Sequence, residues 1–321
     1  MKPAFSLKRV VLGDADLYAE VISAIHPDEI VDPDVLRARW SNEAAHPGRQ
    51  SRYLVLDGEQ VGGLAFWALA GDAGGDEPHL ANVNVRLVPE RQSEGDFKRI
   101  LRQMEAESAA AGARIARAVT REDEQFHRRN LVGNGYHVDR ISRSWKLDLV
   151  SERERLIDAR SKSRDSIIRQ DVIVSQLSSV AEGDAWSRLY DLMAETVADI
   201  PTTIREPIPN SNVWMLKMHA PDIHPDRIWT ALKGSRLIGY SYLSYPAAGD
   251  VWTGYTAVAR EYRGRGVARA LKLETIGQAI ELGIQLVKTD NDVENLAILH
   301  INESLGYEPM PGFISYLKGI G

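Results

Sequence analysis

Residues 4–150 and 171–318 of this chain run through the same sequence signals in the same order. Such repetition constrains the fold more tightly than any local pattern, because one structural unit must then be built twice. Each stretch opens on a strand pattern followed by a helix pattern, 5–12 then 17–25 in the first and 172–177 then 185–198 in the second. A hairpin follows in each, 53–64 and 228–240, and Asp57-Gly58 is a favourable turn pair. Next come a strand, 80–88 or 251–258, and a long helix that stops at Gly112 or Gly283. Those glycines are 171 residues apart, and so are the closing pairs Gly135-Tyr136 and Gly306-Tyr307. One offset shared by two landmarks marks a tandem duplication.

Size and composition agree with two folded copies. At 321 residues the chain has room for two domains, and 44% apolar residues supply their cores. The net charge of −6 argues against a nucleic-acid partner. With no cysteine, disulfides, cysteine zinc sites and thiol nucleophiles are excluded, and no metal site is expected. No run reaches membrane-span length and the first twenty residues lack an apolar signal core, so a cytoplasmic location without membrane contact is expected.

The second copy contains the stretch with the clearest chemistry, 251–283. A buried-strand pattern, 251–258, leads through a loop into a helix that begins at Gly266. The first N–H groups of such a helix lack intrahelical partners and sit at its positive end, which suits an anion. Gly264 and Gly266 permit close backbone approach, and Arg263, Arg265 and Arg269 add planar positive charge. A GxxxxGK[ST] loop does not occur. A dinucleotide GxGxxG is approached by Gly264 and Gly266, with Asp290 ending the next strand. However, Arg269 stands where a small residue belongs, and the loop is too long for that turn.

Arg263-Gly-Arg-Gly-Val-Ala268 resembles the [Q/R]xxGx[G/A] pyrophosphate loop of the GNAT N-acetyltransferase superfamily. A strand pattern at 285–290, then Asn291, Asn295 and Leu305-Gly306-Tyr307, follow in that family's order. The resemblance implies an α/β (α+β) fold of two tandem GNAT-like domains, each a mixed, mostly antiparallel twisted sheet flanked by helices. It is similar to tandem proteins of the mycothiol-synthase type. The expected domains are 1–150, a charged connecting segment 151–170, and 171–321. The implied cosubstrate is acetyl-CoA, the implied acceptor the amine of a small molecule, and the chain a monomer (a pseudo-dimer) or loose homodimer.

The resemblance also assigns residues. Arg263, Gly264, Arg265, Gly266, Val267 and Ala268 would hold the pyrophosphate, and Asn291 and Asn295 would reach pantetheine or phosphate. Backbone N–H groups at Ala257 and Val258 would polarise the thioester carbonyl, on a strand splayed so that pantetheine pairs with its edge. The tyrosine that many family members place four residues before the closing glycine is Asn302 here, and an amide is no acid. The thiolate then leaves unaided, or Tyr255 or His300 serves. Glu195, Asp199 and Glu206, after the first helix of the second copy, are candidates for the base or for amine binding.

The first copy departs at the loop. Arg91 and Gly95 read as remnants, while Glu94 and Asp96 place negative charge where phosphate would sit. The first copy is thus expected to have lost acetyl-CoA. Two other functions compete: a non-catalytic acyl-CoA-binding or regulatory module, and a nicotinamide-dependent enzyme.

Overall fold

The computed structural model describes residues 5–43, 49–70, 80–179 and 184–321. The chain forms two compact units, 1–142 with 203–209 and 311–321, and 143–202 with 210–310. They are cut differently from the two sequence copies.

The first unit contains β1 (Ser6–Arg9), α1 (Ala15–Ile25), α2 (Pro33–Glu43), β2 (Gln50–Asp57), β3 (Gln60–Leu69) and β4 (Leu80–Leu87). It continues with α3 (Glu94–Ala110), β5 (Ile115–Arg121), α4 (Gln125–Gly133) and the start of β6 (His137–Asp148). Helix α2 had no counterpart among the sequence expectations. The second unit takes the end of β6 and then α5 (Arg153–Ile168), β7 (Val172–Gln176), α6 (Ala185–Val197), α7 (Ser211–Met218), β8 (Ile228–Lys233) and β9 (Arg236–Ser244). Then follow β10 (Val251–Val258), α8 (Val267–Glu281), β11 (Leu286–Asp292), α9 (Leu296–Ser304) and β12 (Glu308–Gly319), whose greater part returns to the first unit.

Strand order in the first unit is β1-β2-β3-β4-β5-β12, and in the second β6-β11-β10-β9-β8-β7. Hairpin neighbours are antiparallel, while β4–β5 and β10–β11 are parallel with a helix crossing between them. The last strand of the chain closes the first unit: β12 pairs with β5 from Phe313↔Arg121 to Gly319↔Ile115. Its Ile314 and Tyr316 lie in the core with Phe97, Ile100 and Met104. The reciprocal exchange puts Trp145, Leu147 and Leu149 in the core of the second unit.

The duplication is closer than two landmarks. Leu80–Leu87 and Val251–Val258, Ile115–Arg121 and Leu286–Asp292, Gln125–Gly133 and Leu296–Ser304, and His137–Asp148 and Glu308–Gly319 are all displaced by 171. Identical spacing through strand, crossover and closing strand lets residues of the two copies be compared position by position.

The charged stretch 151–170, expected as a solvated connector, forms helix α5 and packs on α8. Leu156 and Ile167 are its buried anchors. Glu274 of α8, 2% exposed, receives Arg160 Nε at 2.7 Å and Arg164 Nη2 at 2.6 Å. A buried carboxylate left alone would be costly, and two guanidinium groups compensate it. This cover explains why α8 is buried around its circumference from Ala270 to Ile280. No helix among the described residues is long and apolar enough to cross a membrane.

Candidate functional site: a forked strand pair and a glycine loop

Strands β10 and β11 pair only at Val251↔Val287 and Trp252↔Lys288, although each continues for at least four residues. Beyond Trp252 they part, and a β-bulge between Thr253 and Tyr255 on the β9 side accompanies the divergence. Gly254 sits in that bulge. A Cβ there would collide with the ring of Tyr242, so the close approach requires glycine.

The fork leaves backbone groups of β10 without a strand partner. Ala259 N–H donates to Ile238 O, so in the antiparallel alternation the Ala257 N–H faces β9. Val258 and Thr256 therefore direct their N–H groups to the open edge. Of the expected carbonyl-polarising pair, Val258 has the free donor.

The loop after β10 is built by glycine. Gly264 and Gly266 have φ of 71° and 83°, and nothing lies within 4 Å of a Cβ placed at either. Gly266 is the residue before α8, and no side chain caps the helix, so the amides of Val267 and Ala268 open onto free space. Among the loop arginines, Arg263 turns back: its Nε donates to Val258 O at 3.0 Å and its Nη2 meets Asp199 Oδ2 at 2.7 Å. Arg265 lies 5.4 Å from the Tyr262 ring centre, with its carbonyl accepting from Gln170 of α5. Arg269 bonds Ser304. Arg263 is thus a brace of the loop, and the exposed positive charge at its tip is Arg265.

The expected acid–base residues are already engaged. Asp199 accepts from Arg260 Nε at 2.8 Å and from Arg263, and these partners, Arg260 first, hold its carboxyl down to about 2. A base with so low a pKa has little pull on an ammonium proton. Glu195 accepts the Arg260 N–H at 3.0 Å and thereby caps the turn that precedes the loop. Glu206 belongs to the first unit and pairs with Arg117 at 2.5 Å. Tyr255 faces Thr196 Oγ1 at 3.2 Å, and burial raises its phenol. Asn302, wholly buried, donates to Asn291 Oδ1 at 2.8 Å and ties β11 to α9. Asn295 precedes α9, with its carbonyl accepting from Leu299. His300 is exposed.

Two charged residues had no role in the acetyl-transfer reading of the sequence, Asp290 having entered only as a ribose contact in the dinucleotide alternative. Asp290 on β11 is exposed and has no partner among the described residues, yet surrounding protein desolvates it and raises its carboxyl. Lys272 on α8 is fully enclosed, its Nζ 5.3 Å from the Tyr307 ring centre, and burial lowers its ammonium to about 8. Both are single charged residues inside ordinary strand and helix patterns, and only tertiary surroundings single them out. Among the described residues no group of His, Asp and Glu could hold a metal ion.

Residues 189–307 match the acetyltransferase (GNAT) family model. Among solved structures, a tandem GNAT protein from the clavulanic acid biosynthesis pathway is 16% identical with a TM-score of 0.72, covering 99% of each chain. A GCN5-related N-acetyltransferase from Sphaerobacter thermophilus is 16% identical with a TM-score of 0.68, covering 98% of this chain and 96% of that one. A GNAT-family acetyltransferase from Colwellia psychrerythraea is 12% identical with a TM-score of 0.58, covering 98% and 99%. No curated protein matches the chain by sequence. The chain has the GNAT fold in tandem, and its second copy matches the family by sequence.

Proposed function

We propose that the chain is an acetyl-CoA-dependent N-acetyltransferase whose active site lies in the second copy. The observation that carries this is the fork beside the loop: an open β10 edge leading to uncapped amides at a glycine-shaped helix start. Pantetheine adds to the edge as an extra strand would, and Gly264, Arg265, Gly266, Val267 and Ala268 receive the pyrophosphate. The Val258 N–H is placed to polarise the thioester carbonyl, a donor fixed in advance where negative charge develops. Arg263 and Asp199 hold the loop against β10. Asn291 and Asn302 fix the far side of the fork, so Asn302 supports the strand instead of supplying an acid.

Isothermal titration with acetyl-CoA tests the assignment. One site per chain is expected, and Gly266→Glu should abolish it while the circular dichroism spectrum stays unchanged. A left-handed non-glycine residue costs about 1–2 kcal/mol, which a folded unit tolerates, whereas the added carboxylate repels pyrophosphate. Wild-type affinity in that variant would remove the loop from the site. Binding without turnover across a broad amine panel would favour the acyl-CoA-binding alternative.

A further inference from the structure

We infer that Asp290 is the general base of the second copy, the group that takes a proton from the acceptor ammonium. The assignment rests on the acetyl transfer proposed above and adds the residue that makes the amine nucleophilic.

Position is the first ground. Lys288 is the last β11 residue paired with β10. Asp290 follows two residues later, on the same sheet face by strand alternation, about 7 Å along the opening fork. Lys288 lies over the Trp252 ring, 5.9 Å from its centre, so this face of β11 looks the same way as Trp252 of β10. The first copy's fork is paired one residue out of this register, Leu80 meeting Ile115 where Val251 meets Val287. At the 171-residue offset Tyr255 corresponds to Asn84 and Asp290 to Val119, and Asn84 Nδ2 reaches across that fork to Val119 O at 3.1 Å. The same two positions in the second copy carry a phenol and a carboxylate in place of a bridge. The bulge between Thr253 and Tyr255 adds one residue to β10 just past the Trp252↔Lys288 pair, so Asp290, two residues beyond Lys288, is level with Tyr255 along the opening, three residues before Val258.

Availability is the second ground. Glu195, Asp199 and Glu206 each have a structural partner, and Asp292 accepts the Glu294 N–H at 2.8 Å. Lys288, two residues away on the same face, is neutralised by Asp250. Among the described residues Asp290 has no such partner, and desolvation by the surrounding protein raises its carboxyl. A carboxylate that is exposed and unpaired among the described residues leaves a path for an ammonium, and a raised carboxyl takes a proton more readily than one clamped by arginines as Asp199 is.

The step balances. The carboxylate of Asp290 takes one proton from R–NH3+. The freed nitrogen lone pair forms the C–N bond, and the C–S electrons leave on sulfur. The second surplus proton of nitrogen passes to the thiolate, giving amide and free thiol, and Asp290 returns its proton to water.

Asp290→Asn in the full chain tests this with two readouts. With acetyl-CoA and a panel of glucosamine, tyramine, spermidine and methylamine, kcat/KM should fall by roughly 10²–10⁴-fold. Acetyl-CoA affinity should stay within about twofold. Independently of any acceptor, the carboxyl carbon signal present in 13C-aspartate-labelled wild type and absent from the variant should titrate above the ordinary Asp value of about 3.9. Titration at or below that value, or wild-type transfer by the variant, overturns the assignment. If no amine of the panel reacts, the titration decides alone. Failure of wild type to bind acetyl-CoA would strike the transferase function itself, whereas normal binding with an ordinary Asp290 titration would strike only the base.

Discussion

Each copy has a fork at this place, the two paired one residue out of register, and the copies fill it differently. In the second, β10 opens away from β11 and leaves the Val258 N–H unpaired. In the first, β4 and β5 pair from Leu80↔Ile115 to Asn82↔Arg117 and then also part, but side chains occupy the gap. Asn84 bridges to Val119 O, and Arg117 Nε bonds Asn82 Oδ1 at 2.8 Å. Leu87 N–H, the counterpart of Val258 N–H, donates to His127 Nε2 at 3.1 Å, where the second copy has Ile298. The helix start differs likewise: Ser93 accepts the Asp96 N–H, while its counterpart Gly264 leaves the amides open. Arg91, expected as a remnant of the loop, corresponds to Tyr262 and pairs with Asp57 at 2.6 Å. Backbone donors that a ligand would meet in one copy are met in the other by the protein itself. In the first copy these donors have internal acceptors, as buried polar groups must.

The largest expected effect comes from cutting the chain at the boundary that the copies suggest. Residues 1–150 expressed alone lack β12 and expose the β5 edge, and 165–321 lacks Trp145, Leu147 and Leu149, each no more than 3% exposed in the full chain. Both pieces should be insoluble or aggregate on a sizing column. A soluble, monomeric 165–321 that binds acetyl-CoA would show that the exchanged strands are dispensable.

His127→Ala attacks the plug of the first copy. It strands the buried Leu87 N–H and removes the His127 Nδ1 contact to Glu124 Oε1 at 3.3 Å, leaving His26 at 3.1 Å. About 2–4 kcal/mol should be lost, read as a lower urea midpoint. Burial by itself would raise Glu124, but His127 and His26 outweigh it and hold the carboxyl well below its ordinary range. The stabilisation is therefore complete above the unfolded Glu value of about 4.3 and fades as pH falls below it. A wild-type urea midpoint flat from pH 5 to 3 would contradict that linkage.

Lys272→Leu exchanges the second copy's residue for its counterpart Leu101, which is 1% exposed in an apolar core. The lysine is instead enclosed with its Nζ 5.3 Å from the Tyr307 ring centre. Its folded pKa of about 8 lies below the unfolded value, so enclosing the charge costs most below pH 8 and nothing above about 10.5. The variant should gain up to roughly 3 kcal/mol at pH 7, and less as pH rises. A gain that does not shrink with pH would trace to packing instead.

Asp199→Asn should have the smallest effect. Its ion pairs are solvent-exposed, worth at most about 1 kcal/mol, so a few-fold loss of acetyl-CoA affinity is expected with turnover of bound complex retained. If turnover vanished while affinity held, Asp199 would replace Asp290 as the base.

The sequence by itself determined the duplication, the α/β pattern of each copy and the glycine loop before the helix of the second. Those signals are local or periodic: Gly264 and Gly266 are read from spacing, and the repeat from a constant offset. It also placed Glu94 and Asp96 at the start of the first copy's helix, where the second has no carboxylate. Only the tertiary structure decided which charged groups are free. Asp199, Glu195 and Asp290 are all acidic residues near strand or helix ends, and nothing in their neighbours distinguishes a clamp from a base. The distinction arises when Arg260 and Arg263 fold back onto Asp199 while no cation among the described residues pairs with Asp290. The charged stretch 151–170 became a packed helix for the same reason, since its arginines found Glu274 across more than a hundred residues. Pairing between residues distant in sequence sets both burial and pKa, and a linear pattern does not encode which partners meet.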